Sequence, residues 1–454
     1  MSSSPDGIYD VGIIDPGIPV ETPTQPFWLS QPAKHSKLRS PWAETADLVV
    51  IGSGMTAVSL CLTLFSRRPG LKIVIVEARD LCSGATGRNG GHCKAMSPGV
   101  WFDRKQQYGV REAIQVMEFE HSHLDEMFDM VKQHGIDCDL RLVEGLDVYH
   151  DKVTFGRAVR ALEDMRKHAP QLASKYTVYT SRAELRAQNC ADHVIGAIGI
   201  PAATVWPYKF VTALWDKMVS ENGVAIQTNT VVTSVVDEDD GPEGCAVVRT
   251  TRGPIRTPHV VHATNAWMSH LVPELQPFVS PVRANVQRQV PVSSSLRVAN
   301  SFWLRYAEKE YDYLIQRPDG AFIVGRANTG RRATSDDGNK DLGPHVHLRH
   351  ALPHIFNFGT DTLQVTHAWS GCVAFTQDGN PFVGRLPFAK KRRQWVCGAY
   401  QGIGMVRAFR SAQMLALLVL GEELPVEFPK SMLVTADRVD SMTRSLGTSL
   451  PSRL

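Results

Sequence analysis

The sequence of 454 residues lacks the features that would assign it to several common classes of protein. Its eight cysteines include no C-x-x-C pair, so neither a zinc site nor a disulfide framework is indicated. We therefore expect free thiols in a reducing compartment. The formal net charge is only +3, which is too small to indicate nucleic acid or a membrane surface as a partner.

Long apolar runs are missing as well. The most apolar helical stretch, residues 405–420, contains Arg407 and Arg410, whereas a membrane span needs about 20 apolar residues with few charges. Residues 1–20 have no apolar core of the length that a secretory signal requires. We therefore expect a soluble chain of two or three domains with no membrane partner.

The first 45 residues are rich in proline and predict an extended arm, whose Phe27 and Trp28 should pack on the main body. The pattern then changes. Residues 47–52 form a β-branched run that ends in glycine and predicts a buried parallel strand. Residues 55–66 predict a helix and residues 72–77 a second strand. Together they predict a βαβ unit of about 30 residues.

The strongest chemical signal is the G-x-G-x-x-A motif between this strand and this helix. Gly52 allows a tight turn, Gly54 lets backbone N–H groups approach a pyrophosphate, and Ala57 keeps the helix close to the sheet. The helix N-terminus adds a favourable partial charge for phosphates. At the end of the second strand, Glu77 is placed to accept hydrogen bonds from a ribose diol. The dinucleotide contacts predicted from this unit are Gly52, Ser53, Gly54, Met55, Thr56, Glu77, Ala78 and Arg79.

A second glycine-rich segment favours FAD over a nicotinamide cofactor. Residues 82–92 combine small residues, hydroxyls and four glycines, so that the backbone can press against a flat ring and line phosphates with N–H donors. A nicotinamide enzyme would normally have another strand or helix here. A rival NAD(P)H motif at Gly402-x-Gly404 has no third glycine. The FAD contacts predicted in this loop are Gly84, Ala85, Thr86, Arg88, Asn89, Gly90 and Gly91.

These residues resemble the D-amino-acid-oxidase-type superfamily of FAD-dependent oxidoreductases, which includes sarcosine, glycine, fructosyl-amine and γ-glutamylputrescine oxidases. The resemblance runs from about residue 47 to 421 and includes segments 206–208, 261–267, 280–283, 313–320, 369–371, 378–384 and 398–405. It implies that Val231 and Val232 hold the adenine through backbone groups. It further implies cofactor contacts by Thr264, Trp267, Gly371, Gly402, Ile403, Gly404 and Met405.

The α/β signals lie at both ends of the chain, and the antiparallel signals lie mostly in the middle. This favours an α/β FAD-binding Rossmann-type domain built from separated segments, plus an α+β substrate domain with a mostly antiparallel sheet. The approximate boundaries are an N-terminal arm at 1–45, an FAD-binding domain at 46–100, 150–280 and 365–430, a substrate domain at 101–149 and 281–364, and a tail at 431–454.

The resemblance implies an FAD-dependent oxidase that converts the C–N bond of an amine or amino acid to an imine, with hydride transfer to flavin N5 and reduction of O2 to H2O2. A flavin dehydrogenase that passes electrons to a protein or quinone is one alternative, and a non-catalytic flavin-binding protein is another. Some members carry an oxygen-activating lysine whose position corresponds to Ile323 here. His92, Lys94 and Arg317 are the candidate substitutes.

Five residues are predicted around the substrate. Tyr313 and Trp369, together with Tyr400, should form aromatic walls. Arg317 is the candidate anchor for a substrate carboxylate, because its guanidinium can make a bidentate pair; its alternative role is to cap the turn at 318–320. His92 is expected to be a non-covalent loop contact, with a covalent flavin anchor or a proton shuttle as alternatives.

Other reactive side chains receive more modest interpretations. Cys372 invites comparison with a flavin-tethering cysteine, but it lies one residue late, so we expect an unlinked buried thiol. We expect no metal site, since the histidines at 345, 347, 350 and 354 lack acidic company. The last three residues, Ser452-Arg453-Leu454, match a relaxed peroxisomal address, which predicts a peroxisomal location and the import receptor as a partner.

Overall fold

The computed structural model describes residues 15–238, 244–292, 297–307, 310–326, 333–356 and 363–447. The helices are α1 (Met55–Arg67), α2 (Trp101–Tyr108), α3 (Val110–His134), α4 (Lys152–His168), α5 (Pro170–Ala173), α6 (Arg182–Ala187), α7 (Pro207–Glu221), α8 (Met268–Leu271), α9 (Leu342–Ile355), α10 (Ala408–Leu420) and α11 (Ala436–Gly447). The strands are β1 (Leu48–Ile51), β2 (Ile73–Val76), β3 (His92–Lys94), β4 (Arg141–Tyr149), β5 (Thr177–Tyr179), β6 (Gly196–Thr204), β7 (Ala225–Gln227), β8 (Val232–Glu238), β9 (Cys245–Thr250), β10 (Gly253–Thr257), β11 (Val260–His262), β12 (Val279–Pro291), β13 (Ser301–Ala307), β14 (Glu310–Gln316), β15 (Phe322–Arg326), β16 (Leu363–Thr376), β17 (Phe382–Arg385) and β18 (Gln394–Gly398).

A six-stranded sheet contains the predicted βαβ unit. Its strand order is β17-β18-β11-β1-β2-β7, and every neighbouring pair except β17–β18 is parallel. All residues of β1 and β2 are buried, as expected for a parallel strand covered on both faces. The helices α1 and α10 pack against each other beside this sheet. The carboxyl ends of β1, β2 and β11 therefore meet at one edge, which is where α/β sheets bind ligands.

A larger sheet of nine strands lies beside the first. Its main path is β16-β12-β15-β14-β13-β4-β6-β3, with β5 paired to β6. All of its pairs are antiparallel except β13–β4. The long strands β12 and β16 pair along their full length, with an irregularity between Arg288 and Gln289. A third sheet, β10-β9-β8, is antiparallel and has three strands.

The structure differs from the sequence patterns at three places. The continuous helical pattern of residues 101–135 forms two helices, because Gly109 adopts φ +81° between α2 and α3. The helix predicted from Met405 begins at Ala408, after a 3₁₀ turn at Gly404–Val406. Strands β5 and β6 fall in the segment assigned to FAD binding, yet they pair within the nine-stranded sheet, as does β16. The domain boundaries themselves stay a prediction.

The described part of the N-terminal arm lies on the main body, as predicted. Trp28 is fully buried and Phe27 is partly buried against the main core. All eight cysteines are free thiols. None of the described helices is long and apolar enough to cross a membrane.

Candidate functional site

Two adjoining cavities lie in the described part of the chain, and the larger one opens at the carboxyl ends of β1, β2 and β11. It encloses about 1290 Å³ of empty space, including the part open to solvent. Among the predicted cofactor residues, those that line it are Gly52, Ser53, Gly54, Met55, Thr56, Glu77, Ala78, Arg79, Gly84, Ala85, Thr86, Asn89, Val231, Val232, Thr264, Trp267, Gly402, Gly404 and Met405. Segments that are far apart in the sequence therefore line one cavity, although their contact with a cofactor stays a prediction.

Glu77 is held rigidly at the end of β2. The backbone N–H and hydroxyl of Ser53 donate to its Oε2 at 3.1 and 2.6 Å, and the backbone N–H of Arg79 donates to its Oε1 at 3.0 Å. These bonds fix the carboxylate on the cavity wall, and its remaining lone pairs can accept hydrogen bonds from a diol.

The start of α1 leaves room for a phosphate-bearing group. Gly54 is the N-cap and has no side chain that could cap the helix; the Met55 N–H donates to the Thr86 hydroxyl at 3.1 Å, which leaves the next N–H groups of the first turn for an anion. A Cβ added at Gly54 would lie 2.9 Å from the Thr86 hydroxyl oxygen. At Gly52, φ is +103° and an added Cβ would lie 2.7 Å from the Ala263 carbonyl oxygen. Glycine is therefore needed at Gly52 for the turn, and at Gly54 for close approach.

Three buried polar groups of residues on the cavity wall have no hydrogen-bond partner within the described part of the chain. They are the Nε of Arg79, the hydroxyl of Thr264 and the indole N–H of Trp267. Because a buried polar group without a hydrogen bond is costly, such groups indicate a ligand that carries hydrogen-bonding atoms. Together with Glu77 and the free helix start, they fit the sugar and phosphate groups of a dinucleotide.

The loop at 84–91 is braced from within and from behind. The Asn89 side chain accepts from the Gly91 N–H at 2.7 Å and donates to the Thr86 carbonyl at 3.0 Å. The buried guanidinium of Arg88 donates to the carbonyls of Ser370 at 2.8 Å and Thr24 at 2.5 Å. Burial lowers the pKa of Arg88 to about 10. Arg88 thus anchors the loop, and of the two cavities it lines only the smaller one.

The loop before α10 has an unusual backbone. Ala399 and Gln401 adopt φ of +63° and +58°, a region that residues other than glycine rarely occupy. Gly402 follows with φ of +73°. Such backbone strain persists where the surrounding structure requires it and is frequent at functional sites. Here it brings Gly402, Ile403 and Met405 to the boundary between the two cavities.

The smaller cavity adjoins the larger one and encloses about 720 Å³ of empty space, including the part open to solvent. Its wall contains four predicted cofactor residues that the larger cavity lacks: Arg88, Gly90, Gly371 and Ile403. The residues common to both walls are Ala85, Asn89, Val373, Gly402 and Met405. Gly91 lines neither cavity. It faces the Val205 carbonyl instead, and a Cβ added at Gly91 would lie 2.4 Å from that oxygen.

Aromatic rings form one side of the smaller cavity. Tyr313 lies directly against the glycine-rich loop, since a Cβ on Gly90 would be 2.2 Å from the tyrosine ring. Trp303 is the cross-strand partner of Tyr313 in the β13–β14 pair. Tyr311 stacks on Trp303 with ring centroids 5.2 Å apart. The prediction placed only Tyr313 here and missed Trp303 and Tyr311.

A buried ion pair forms part of the same wall. The Lys94 ammonium lies 2.9 Å from Asp147 Oδ1 and 3.8 Å from the centre of the Trp303 ring. Gly145 makes room for the lysine stem, because a Cβ at that position would lie 2.5 Å from Lys94 Cδ. Burial lowers the pKa of Lys94 to about 8, although the Asp147 carboxylate opposes this shift. Lys94 therefore loses its proton more readily than an exposed lysine.

His92 also lines the smaller cavity and pairs with Ser301. Its Nε2 lies 2.7 Å from the Ser301 hydroxyl, and its buried Nδ1 has no partner within the described residues. Burial, with a further contribution from Lys94, lowers the pKa of His92 to about 3. The imidazole is therefore neutral at physiological pH and can exchange hydrogen bonds with a ligand.

Arg317 lies outside both cavities, which corrects the prediction of a carboxylate anchor. Its guanidinium packs over the rings of Trp206 at 4.5 Å, Phe27 at 4.9 Å and Trp28 at 5.2 Å. It also pairs with Asp139 at 3.0 Å. The aromatic residues of the arm thus surround this cation, which the sequence pattern of β14 could not reveal.

Trp369 is also misplaced by the prediction. It is fully buried and lines neither cavity, and its indole N–H donates to the Arg88 carbonyl at 2.8 Å. This hydrogen bond supports the glycine-rich loop from behind. Tyr400, in contrast, lines the larger cavity and hydrogen-bonds to Thr56 at 2.8 Å.

The structure also shows where most of the other residues considered from the sequence lie. Cys372 lines the smaller cavity, where burial raises the pKa of its thiol, so it stays protonated. Ile323 is fully buried in β15 and lines neither cavity. His345 hydrogen-bonds to Gln287, and His347 pairs with Asp312; the side chain of His354 and residues 452–454 lie outside the described part.

Comparison with known proteins gives a consistent result. A family model described as FAD dependent oxidoreductase matches residues 47–418. The probable oxidoreductase OrdL of Rhizobium meliloti is 23% identical over 87% of this chain and 88% of its own length. The gamma-glutamylputrescine oxidoreductase of Escherichia coli is 23% identical over 83% of this chain and 84% of its own length. The crystal structure of glycine oxidase from Geobacillus kaustophilus has a TM-score of 0.69 at 18% identity, covering 87% of this chain and 99% of that one.

Proposed function

This chain belongs to the DAO family of FAD-dependent oxidoreductases, and we propose that it oxidises a C–N bond of an amine or amino acid to an imine, with O2 as the electron acceptor. One observation carries the proposal: the smaller cavity shares its wall with the FAD cavity at Ala85, Asn89, Val373, Gly402 and Met405. A substrate in the smaller cavity would therefore lie beside the cofactor.

When bound, FAD supplies the hydride acceptor and passes the electrons on to O2. The protein's own contribution is mainly position, because hydride transfer requires the donor carbon about 3–3.5 Å from its acceptor. Tyr313, Trp303 and Tyr311 provide a rigid apolar surface against which a substrate can be held. The residues common to the two cavity walls would set the distance between the substrate and the cofactor.

The substrate class follows from the family and from the relatives. One relative carries a glutamylated polyamine in its printed name, and a structural neighbour is a glycine oxidase. Both names describe amine or amino-acid chemistry. In the smaller cavity the two cationic side chains are already paired, Arg88 with Asp337 and Lys94 with Asp147. This supports amines at least as well as α-amino acids, because no carboxylate anchor has been identified among the described residues of its wall.

Lys94 is the group that we assign to the reaction with oxygen. Its ammonium is the cation nearest to the aromatic wall, at 3.8 Å from the centre of the Trp303 ring, and it remains charged below a pKa of about 8. A fixed positive charge in a dry cavity stabilises negative charge that develops during electron transfer to O2. Neutral His92 is the neighbouring hydrogen-bonding group.

We further propose that the protein acts in the peroxisome through Ser452-Arg453-Leu454 and the import receptor that reads this address. The proposed oxidase chemistry fits this location, because an enzyme that releases H2O2 would there act beside catalase. A fluorescent protein fused to the N-terminus should enter peroxisomes, and removal of Leu454 should leave it in the cytosol. Equal distribution of the two fusions would contradict the address.

The activity is tested by mixing the purified flavoprotein with single amines without oxygen, then admitting air. The panel should include polyamines, γ-glutamyl amines, N-methyl amino acids and α-amino acids. Loss of the flavin colour followed by rapid return and H2O2 release is expected for at least one substrate. Slow return of colour in air would indicate the dehydrogenase alternative. If no compound bleaches the flavin, the proposed chemistry is wrong.

A further inference from the structure

The N-terminal segment 15–30 contributes to the FAD cavity although it lies outside the family match, which begins at residue 47. Gly17, Ile18 and Pro19 line the larger cavity. We propose that this segment, which we call the strap, is a cofactor-binding element that closes the cavity over the adenosine half of FAD and slows its release. The proposal rests on FAD binding by the family and is independent of the substrate.

The position of the strap follows from the arrangement of the cavity. The flavin end must adjoin the smaller cavity, at the wall that contains Ala85 and Met405. The adenosine end is marked by Glu77, which is placed to bind a ribose; Arg79 and Trp267 line the same cavity, with the Arg79 guanidinium 5.5 Å from the indole ring. His270 lines the same cavity, and the strap is tied to it. Residues 17–19 therefore cover the end that holds the adenosine.

Two sets of contacts hold the strap, one on each side of residues 17–19. On one side, Asp15 Oδ1 lies 2.8 Å from His270 Nδ1 and also accepts from the Gly17 N–H at 2.8 Å. On the other side, the Thr24 N–H donates to the Asp337 carbonyl at 2.9 Å. Asp337 also pairs with Arg79, another residue of the cavity wall, at 2.9 Å. The segment between these contacts thus spans the cavity with both ends fixed.

The strap continues into the glycine-rich loop. The Trp28 indole N–H donates to the Asn89 carbonyl at 2.5 Å, and the Trp206 indole N–H donates to the Trp28 carbonyl at 2.9 Å. A Cβ on Gly91 would lie 3.1 Å from the Trp28 ring. Strap and loop are therefore in direct contact, so the strap reaches both the adenosine end and the loop beside the flavin.

Ile18 gives the cleanest test, because it lines the cavity and its side chain is half exposed. It is 50% exposed, whereas Trp28 is fully buried and its replacement would disturb folding. We would compare Ile18→Asp with Val153→Asp, a matched change at an exposed valine of α4. FAD release is followed by the rise in free-flavin fluorescence after dilution, and the binding of FMN to the apoprotein is measured in parallel.

Ile18→Asp should release FAD about tenfold faster than the native protein, because it removes apolar cover and places a carboxylate near phosphates. Val153→Asp should match the native protein. FMN lacks the adenosine, so its affinity should be the same in all three proteins.

Unchanged FAD release from Ile18→Asp would overturn the proposal. So would equal weakening of FAD and FMN, since this would place the effect at the flavin end or in the fold. An unfolding temperature of the apoprotein that falls in Ile18→Asp but not in Val153→Asp would likewise assign the strap to fold stability. None of these measurements uses turnover, so they remain valid if the proposed amine oxidation is wrong.

Discussion

The larger cavity is lined to a large extent by backbone and small residues, whereas the smaller one is lined by aromatic and charged side chains. The first is formed where strands end and a helix begins, so its shape depends on glycine at a few positions. The second is formed largely on the faces of β3, β12, β13, β14 and β16, strands that come from distant parts of the chain. A cofactor site can therefore be specified locally, while a substrate site depends on how the strands pair.

Because the larger cavity depends on glycine at a few positions, the largest effect on FAD content should come from a substitution at Gly54. Replacing Gly54 by valine should remove bound FAD entirely, because even the Cβ would lie 2.9 Å from the Thr86 hydroxyl and the branches would block the phosphate approach. The flavin absorbance per purified chain measures this. Gly343→Val is the control, since a Cβ at that helix position meets nothing within 4 Å. Full FAD occupancy in Gly54→Val would show that the cavity does not depend on backbone approach.

In the smaller cavity the largest effect should come from a side chain. Lys94→Met should lower turnover with O2 roughly 30-fold or more, because it removes the fixed positive charge that stabilises developing negative charge. Lys105→Met, which removes a lysine paired with Asp164 on the surface, is the control and should have little effect. The reaction with O2 is to be measured separately from the anaerobic reaction with substrate. If only the anaerobic step slows, Lys94 acts on the substrate and the oxygen assignment fails.

The same residue makes a prediction about pH. The pKa of Lys94 is lowered to about 8, chiefly by burial, so the ammonium loses its charge as the pH rises through this value. The rate of the reaction with O2 should therefore be high below about pH 8 and decline above it. In Lys94→Met this decline should be absent. A native profile that stays flat from pH 7 to 9 would exclude a role for the charge.

Arg317 should affect stability more than catalysis. Arg317→Ala removes a guanidinium packed against Phe27, Trp28 and Trp206, so the free energy of unfolding should fall by about 1–3 kcal/mol. The specificity constant should change little for amines and for amino acids alike. Denaturant unfolding and steady-state kinetics on both substrate classes measure these effects. A selective loss for carboxylate substrates would restore Arg317 as an anchor.

The smallest effect is expected at Cys372, whose replacement should leave the flavin content unchanged. Cys372 and His92 reach the wall of the smaller cavity, yet the Cys372 thiol stays protonated because burial raises its pKa. We expect FAD to be held without a covalent bond, so acid precipitation should leave the colour in the supernatant. Cys372→Ser should have the same flavin content. Fluorescence that stays with the denatured protein would contradict this, and the His92→Ala variant would then locate the link.

The alternation of side chains along a strand identifies further residues of the smaller cavity from the sequence. Side chains two apart on a strand face the same side. Tyr311 should therefore face the same side as Tyr313, and Lys94 the same side as His92. All four residues line the smaller cavity. Trp303 could not be found this way, because its position opposite Tyr313 depends on the register of β13 against β14.

What the sequence by itself determined is the FAD-binding unit. The strand, turn, helix and second strand are contiguous between residues 47 and 77, so glycine spacing and apolar pattern specify the geometry directly. Only the tertiary structure decided the rest. It placed Arg317 under the strap and Trp369 behind the loop, paired Lys94 with Asp147, and laid residues 17–19 over the cofactor cavity. These contacts join residues that are distant in the chain, and local sequence patterns carry no information about which distant surfaces meet.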